Sequence, residues 1–498
     1  MSNPATDTRT PGSATDSPIV TIGAGQVRGV WRDASAAFLG IPFAKPPVGD
    51  LRFAAPVPVE PWEGVRDALA FGATAQRGDP GVTLIPEPSI PGDSTLNVNV
   101  FTPAPGEAAA ALPVLVWIHG GGYFAGSPAS PWYDGRAFNR DGVVTVTLSY
   151  RLGFDGFGHI ADAPSNRGVR DWLAALEWVQ ENIAAFGGDP ARVTIAGQSA
   201  GGGAVLTLLG MPAAQHLFQS VWSLSGATAD VSPERARTLS AKVAAELGVE
   251  PTRDGFASVS EERLLDAQKV ATAIKGPDGF NSMVEEGLGL GPAIDGDLLT
   301  RRTLDSLAAG VGADKPLVLG ATEDEFSMVV ADARNKLRWI PLGLLLGKSG
   351  LDRDRRRAYL AANGDVRRRG HAAVLGRLIT DRMFGAAVIR TAEARADAPT
   401  WVYRYAYRSG AFDAAVHCID VPFWFDCLDS VKVEALTGAR PPQALADATH
   451  GAAVGFIREG APGWPAWSDR PGTTRVFGGE ASRPDVDADG YASVRPLL

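Results

Sequence analysis

The chain has 498 residues, 45% of them hydrophobic and 21% charged, with a mean hydropathy of −0.01, values that exclude a disordered, fibrous or membrane-spanning protein. A net charge of −9 and a pI near 5.3 argue against nucleic acid and anionic membranes as partners without selecting a ligand. The two cysteines, Cys418 and Cys427, cannot build a disulfide framework and read as reduced thiols; with no run of 18 apolar residues, they point to a cytoplasmic protein.

Residues 1–18 carry no apolar segment of signal-peptide type and are expected to be a disordered tail. From Ile19 onward no Ser/Gly or charge-rich linker intervenes, so residues 19–498 are expected to form one domain. Short apolar runs predict strands at Val114–Ile118, Val143–Leu148, Val193–Ala196, Val221–Leu224, Leu317–Leu319 and Trp401–Tyr407. Between the second and third, Val169, Trp172, Leu173, Leu176, Val179 and Ile183 recur near 3.6-residue spacing and predict a helix. Strands alternating with helices imply an α/β fold with a buried, mostly parallel sheet, whose sites form at the carboxyl ends of the strands. Residues 231–290 and 328–395 break the alternation and read as helical cap insertions. Seven arginines lie between Arg353 and Arg369, but Asp352, Asp354 and Asp365 interleave and no aromatic residues alternate with them, so a solvated helix face is expected rather than a nucleic-acid patch.

Glycine is in surplus, 58 residues, of which 17 lie between residues 118 and 210. Two motifs stand there. Gly197-Gln-Ser199-Ala-Gly201 follows the strand Val193–Ala196 and precedes the apolar run Ala200–Leu209, the setting in which a serine on a sharp strand-to-helix turn projects its hydroxyl above the sheet. His119-Gly-Gly-Gly-Tyr123 follows the strand Val114–Ile118 and has the form of a loop whose backbone N–H groups receive an oxyanion, here from Gly121, Gly122 and the Ala200 amide. A phosphate loop is disfavoured because no GK[ST] or GxGxxG spacing follows.

A serine nucleophile needs a base and an acid that orients it. In chain order Ser, acid, His, the candidate bases are His371, His417 and His450. His417, beyond the strand Trp401–Tyr407 and the loop Arg408–Val416, is favoured; His371 lies among arginines, and His450 reads as the start of an amphipathic helix. Glu323, Asp324 and Glu325 follow the strand Leu317–Leu319, and composition does not choose among them; Asp295, before Gly296, reads as a turn residue.

The segment from Phe186 to Gly201 resembles the serine signature of the type-B carboxylesterase/lipase family, which includes carboxylesterases, cholinesterases and bacterial para-nitrobenzyl esterases. Phe38–Phe53, Leu96–Pro103, Ser149–Gly153 and the pair Asn166 and Asp171 are also similar, so the resemblance runs from about residue 19 to the region of Trp467. It implies an α/β-hydrolase fold and a serine ester hydrolase acting through an acyl-enzyme, with Ser199 as nucleophile, His417 as base and Glu325 as acid, and with no cofactor and no metal. Phe326 departs from the small residue that the family often carries after the acid. The cysteine positions of a disulfide found in secreted members fall on Thr95 and, approximately, Ala75. The loop Gly72–Asp93 lacks the tryptophan that cholinesterases use, and residues 286–291 lack their acyl-pocket aromatics, implying a roomy acyl side and poor suitability for choline esters. The expected partner is a small-molecule ester, with monomer and homodimer both open. Alternatives are a carbamate or amide hydrolase using the same residues and a silent cholinesterase-like binding protein.

Overall fold

In the computed structural model, which describes residues 17–498 except 79–80, 82–83, 229, 275–278, 280–281, 285–286 and 331–332, the strands run in chain order as follows. They are β1 Ile19–Ile22, β2 Gly25–Arg28, β3 Val30–Arg32, β4 Ser35–Pro42, β5 Val65–Asp67, β6 Asn97–Thr102, β7 Leu112–Ile118, β8 Val144–Leu148, β9 Gly188–Gln198, β10 Ser220–Leu224, β11 Leu317–Thr322, β12 Thr400–Tyr405, β13 Thr474–Phe477 and β14 Val486–Asp487. Residues 1–16 of the expected tail, and Glu286 in the segment expected to shape the acyl side, lie outside the described residues.

The main sheet has the order β14-β13-β12-β11-β10-β9-β7-β8-β6-β4-β3. Its centre, from β8 to β13, is parallel throughout, and antiparallel strands close both ends. This is a doubly covered α/β sheet of the α/β-hydrolase type. Successive side chains on a strand point to opposite faces, and β7 shows the consequence: Val114, Val116 and Ile118 enter one hydrophobic cluster, Leu115 and Trp117 another. β11 divides the same way, Leu317 and Leu319 from Val318. Apolar runs without polar alternation are what a sheet buried on both faces requires.

The helix Arg167–Asn182 seals the first face with Val169, Trp172, Leu176 and Val179, and the helix Ala200–Leu209 packs on the same face. The helix Gln443–Glu459 covers the second face with Ala446, Ala453, Phe456 and Ile457; His450 is in its middle, not at its start. The antiparallel strands β4 and β6 are largely buried, β6 although it carries Asn97 and Asn99 and has no continuous apolar run. Asn99 donates to Thr147 Oγ1 at 2.9 Å and accepts from Gly40 N at 2.9 Å, which satisfies an amide otherwise costly to bury.

Residues 231–290 contribute the helices Pro233–Leu247, Arg253–Ala257 and Glu261–Thr272, whose Leu239, Val243, Phe256 and Leu264 join the first-face core. Within 328–395, Leu346, Tyr359, Val374 and Leu378 form a small separate cluster with Leu497, whereas Phe384, Val388 and Ile389 belong to the main core. Among the described residues no helix is long and apolar enough to cross a membrane.

Candidate functional site

β9 ends at Gln198 and the helix begins at Ala200, leaving Ser199 between them at φ 58°, ψ −120°. Such a conformation costs on the order of 1–3 kcal/mol for a residue with a Cβ. Two constraints hold it: Ser199 N donates to Leu224 O at 2.9 Å, and the helix approaches the strands so closely that a Cβ on Gly201 would lie 2.0 Å from Ile118 O. Ser199 is partly exposed while Val193–Gln198 before it are buried, so the turn delivers its side chain to open space.

The glycine loop leaves the end of β7 beside this turn; a Cβ on Gly120 would stand 3.2 Å from Ser199 Cβ. Gly121 and Gly122 take φ of 99° and 61°, and a Cβ on Gly121 would meet Ala125 O at 2.2 Å. The N–H groups of Gly121, Gly122 and Ala200 find no acceptor among the described residues; for Ala200 this is the ordinary state of the first N–H of a helix. His119 anchors the loop, with Nδ1 2.9 Å from Gly120 O and its ring stacked on Tyr150 at 4.5 Å. Burial pushes its imidazole down to about 4 against the pull of the Gly120 carbonyl, so it is neutral at pH 7. Farther along, Gln76 Oε1 accepts from Gly126 N at 2.6 Å and Gln76 Nε2 donates to Glu87 O at 2.7 Å, tying the loop to the segment 76–87.

The three carboxylates after β11 part company. Glu323 faces Arg404, Arg377 and Arg483; burial would raise its carboxyl, but these guanidinium groups bring it down to about 2. Asp324 receives Arg369 through both oxygens at 3.2 Å and Arg377 at 3.5 Å. Glu325 alone meets His417: Oε2 accepts from Nδ1, while Oε1 accepts from Thr322 N at 2.8 Å. The backbone reinforces the pairing, since Asp324 N donates to Ala415 O and His417 N to Glu325 O, both at 2.9 Å.

His417 is buried and flanked by the rings of Phe326 and Phe384, at 4.9 and 5.3 Å. Burial depresses its imidazole, but the Cys418 sulfur and the Glu325 carboxylate favour the charged form and carry it above the ordinary histidine range. Burial also raises the Cys418 thiol, which stays protonated at neutral pH. Asp420, pushed up to about 7 by burial and then by Glu325, accepts from Tyr403 OH at 3.2 Å. The other face of the imidazole ring system points to the turn: Nε2 accepts from Gln198 Nε2 at 3.2 Å, and Ser199 makes no hydrogen bond with His417 in this conformation.

The remaining candidates lie elsewhere. Asp295 accepts from Asp297 N and Leu299 N in a turn and from Asn166 at 2.7 Å. His371 faces Leu337 O at 3.2 Å, and His450 bridges Trp424 O and Asp141 at 2.8 and 3.1 Å. Gln198, Phe384, Arg369 and Arg377 were not singled out from sequence. Gln198 sits inside a recognised motif and could have been found there; the other three come from a segment with no local motif. Both cysteines are free, and among the described residues no three His, Cys, Asp or Glu side chains are grouped to hold a metal ion.

Residues 16–475 match the carboxylesterase family model. Among curated proteins the chain is 34% identical to the para-nitrobenzyl esterase of Bacillus subtilis (strain 168), covering 93% of this chain and 95% of that protein. It is 31% identical to the phenmedipham hydrolase of Pseudarthrobacter oxydans, covering 96% and 99%. Among solved structures, a carboxylesterase of Geobacillus stearothermophilus superposes with a TM-score of 0.81 at 32% identity, over 96% of this chain and 99% of that one.

Proposed function

Because the chain belongs to the carboxylesterase family and is a carboxylic-ester hydrolase, we propose that it works through an acyl-enzyme on Ser199, with His417 as base and Glu325 as the acid that orients it. The observation that carries this reading is the placement of His417 between Glu325, on Nδ1, and the Gln198-Ser199 turn, on Nε2. Glu325 fixes the tautomer with the proton on Nδ1, which leaves the Nε2 lone pair to receive the Ser199 proton. Nε2 must exchange its Gln198 contact for the serine hydroxyl, a tightening expected as substrate enters.

Ser199 Oγ attacks the ester carbonyl and its proton passes to His417 Nε2. The carbonyl oxygen becomes an anion that the Gly121, Gly122 and Ala200 N–H groups receive; they have no acceptor among the described residues before the reaction and so are free to receive it. Collapse of the tetrahedral intermediate breaks the bond to the alcohol, which leaves with the imidazolium proton. Water, deprotonated in turn by His417, then attacks the acyl group and returns Ser199. The substrate is a small carboxylic ester, and no cofactor enters any step.

Ser199→Ala is expected to abolish ester hydrolysis while the circular dichroism spectrum stays that of the parent, and a fluorophosphonate probe is expected to label the parent at Ser199 only. Unchanged turnover in Ser199→Ala, or labelling elsewhere, would sink the assignment. Matched ester, carbamate and anilide substrates rank the leaving groups, with the ester expected to be fastest.

A further inference from the structure

Residues 327–369 hold eleven lysines and arginines against four aspartates, in a chain whose net charge is −9. The imbalance is sharpest at 333–348, where Arg334, Lys336, Arg338 and Lys348 stand with no carboxylate among them. All four are exposed, and none is in an ion pair among the described residues. Farther along, Arg369 is engaged by Asp324, and Asp352 caps the helix Arg353–Ala362 and faces Arg355. Arg353, Arg357, Arg367 and Arg368 are exposed as well, but among these stretches only 333–348 combines its cations with large exposed apolar side chains.

The same stretch exposes two large apolar side chains. Trp339 is 77% and Leu344 51% exposed, and the Arg338 guanidinium lies over the Trp339 ring at 5.0 Å. Behind it opens an apolar cleft of about 380 Å³ lined by Val329, Leu345, Leu375 and Leu378, with Lys348 and Arg382 at its polar edge. An exposed indole and leucine favour a partner that removes them from water. Cations at the same place favour a negatively charged partner, and long cationic stems lie comfortably along an apolar boundary.

We propose that residues 333–348 are a docking surface for an anionic lipid interface, on which Trp339 and Leu344 enter the headgroup boundary while Arg334, Lys336 and Arg338 meet lipid phosphates. The surface then presents lipid-borne esters with an apolar chain to the cleft behind it; this delivery, unlike the docking itself, rests on the ester-hydrolase mechanism proposed above. The overall negative charge does not forbid docking. Charges farther away than the Debye length, about 8 Å at physiological salt, are largely screened, so the membrane responds to the local cations. Lipid is favoured over single-stranded nucleic acid because a single exposed aromatic ring and a leucine offer no series of stacking platforms.

The test uses the full chain and vesicles of phosphatidylcholine with phosphatidylglycerol, against phosphatidylcholine alone. The protein is expected to sediment with the mixed vesicles and not with the neutral ones, and to be released by salt. The triple variant Arg334→Gln, Lys336→Gln, Arg338→Gln is expected to bind about a hundredfold more weakly, at about fivefold per cation. Trp339→Ala alone is expected to weaken binding about tenfold. Both variants are expected to hydrolyse a water-soluble short-chain ester at the parental rate and to lose hydrolysis of a vesicle-borne ester in proportion to lost binding. Ser199→Ala is expected to bind vesicles normally and hydrolyse neither ester, so docking and chemistry fail separately. Absence of binding to the mixed vesicles, or binding that the variants leave unchanged, overturns the proposal. So does tight binding of an oligonucleotide, or a dimer of the free protein, that the triple variant abolishes.

Discussion

At Gly121 a backbone conformation and a chemical role coincide. Its φ of 99° and the 2.2 Å that would separate a Cβ from Ala125 O mean that any side chain must move the loop that carries the N–H groups. Gly121→Ala is expected to lower kcat by about 10²–10³, the value of one oxyanion donor, with a smaller effect on KM, read by steady-state kinetics on a soluble ester. His417 offers a second residue-scale expectation. Its imidazole lies above the ordinary range, so the acid limb of kcat/KM, which reports deprotonation of this base, is expected above the ordinary histidine value of about 6.5. Glu325→Gln removes the negative charge that favours the imidazolium; the limb is expected to move to lower pH and kcat to fall on the order of 10³–10⁴. A limb that stays in place would show that another group holds the histidine. The glycine motifs were legible in sequence because each requires a residue without a Cβ, whereas the Phe326 and Phe384 walls of His417 come from positions 58 residues apart that only folding brings together.

Elements position the histidine through Asp324. Its backbone pairs with Ala415 and its side chain accepts from Ala415 N at 3.3 Å, so it joins the loop after β11 to the loop that carries His417. Arg369 and Arg377 reach the same carboxylate from the helical insertion. Arg369 thus departs from the expected solvated face: five of the seven arginines between 353 and 369 are exposed, and Arg369 turns to a buried acid. Removing one partner of a buried ion pair leaves an uncompensated charge, so Asp324→Ala is expected to cost about 3–5 kcal/mol of stability in denaturant titration and to lower kcat more than it alters KM. A variant of parental stability would mean that the arginines find other acceptors. Composition indicated the run of three acids and the family resemblance pointed to Glu325, but neither showed what Glu323 and Asp324 do. Adjacent residues on an irregular turn point in different directions, and those directions are set by Arg404, Arg369 and His417, each from a different element.

For the whole molecule, buried carboxyls give stability a definite pH dependence. Burial raises Glu87, which accepts from Tyr133 OH at 2.8 Å, from its ordinary 4.5 to about 7, and Asp420 from 3.8 to about 7. A carboxyl whose folded pKa is raised contributes stability that is full below its unfolded value and is lost as pH rises through its folded value. The melting temperature is therefore expected to decline from about pH 5 to about pH 8, and Glu87→Gln is expected to flatten that decline. Glu323 acts in the opposite sense; its stabilisation is present above 4.5 and is lost toward about 2. A rising melting temperature across neutral pH would contradict the Glu87 and Asp420 assignments.

What the sequence determined by itself was whatever is encoded locally. Apolar runs marked six strands of the parallel centre, because a strand buried on both faces can carry few polar residues, and the two glycine motifs marked the turns at the ends of β7 and β9. The strand β6 had no continuous apolar run because its polar residues are satisfied by partners distant in sequence, Asn99 by Thr147 among them. Only the tertiary structure decided how Glu323 and Asp324 are engaged while Glu325 meets His417, and which arginines turn inward. Those outcomes depend on the direction and neighbours of each side chain, which arise when elements pack and have no counterpart in the order of residues.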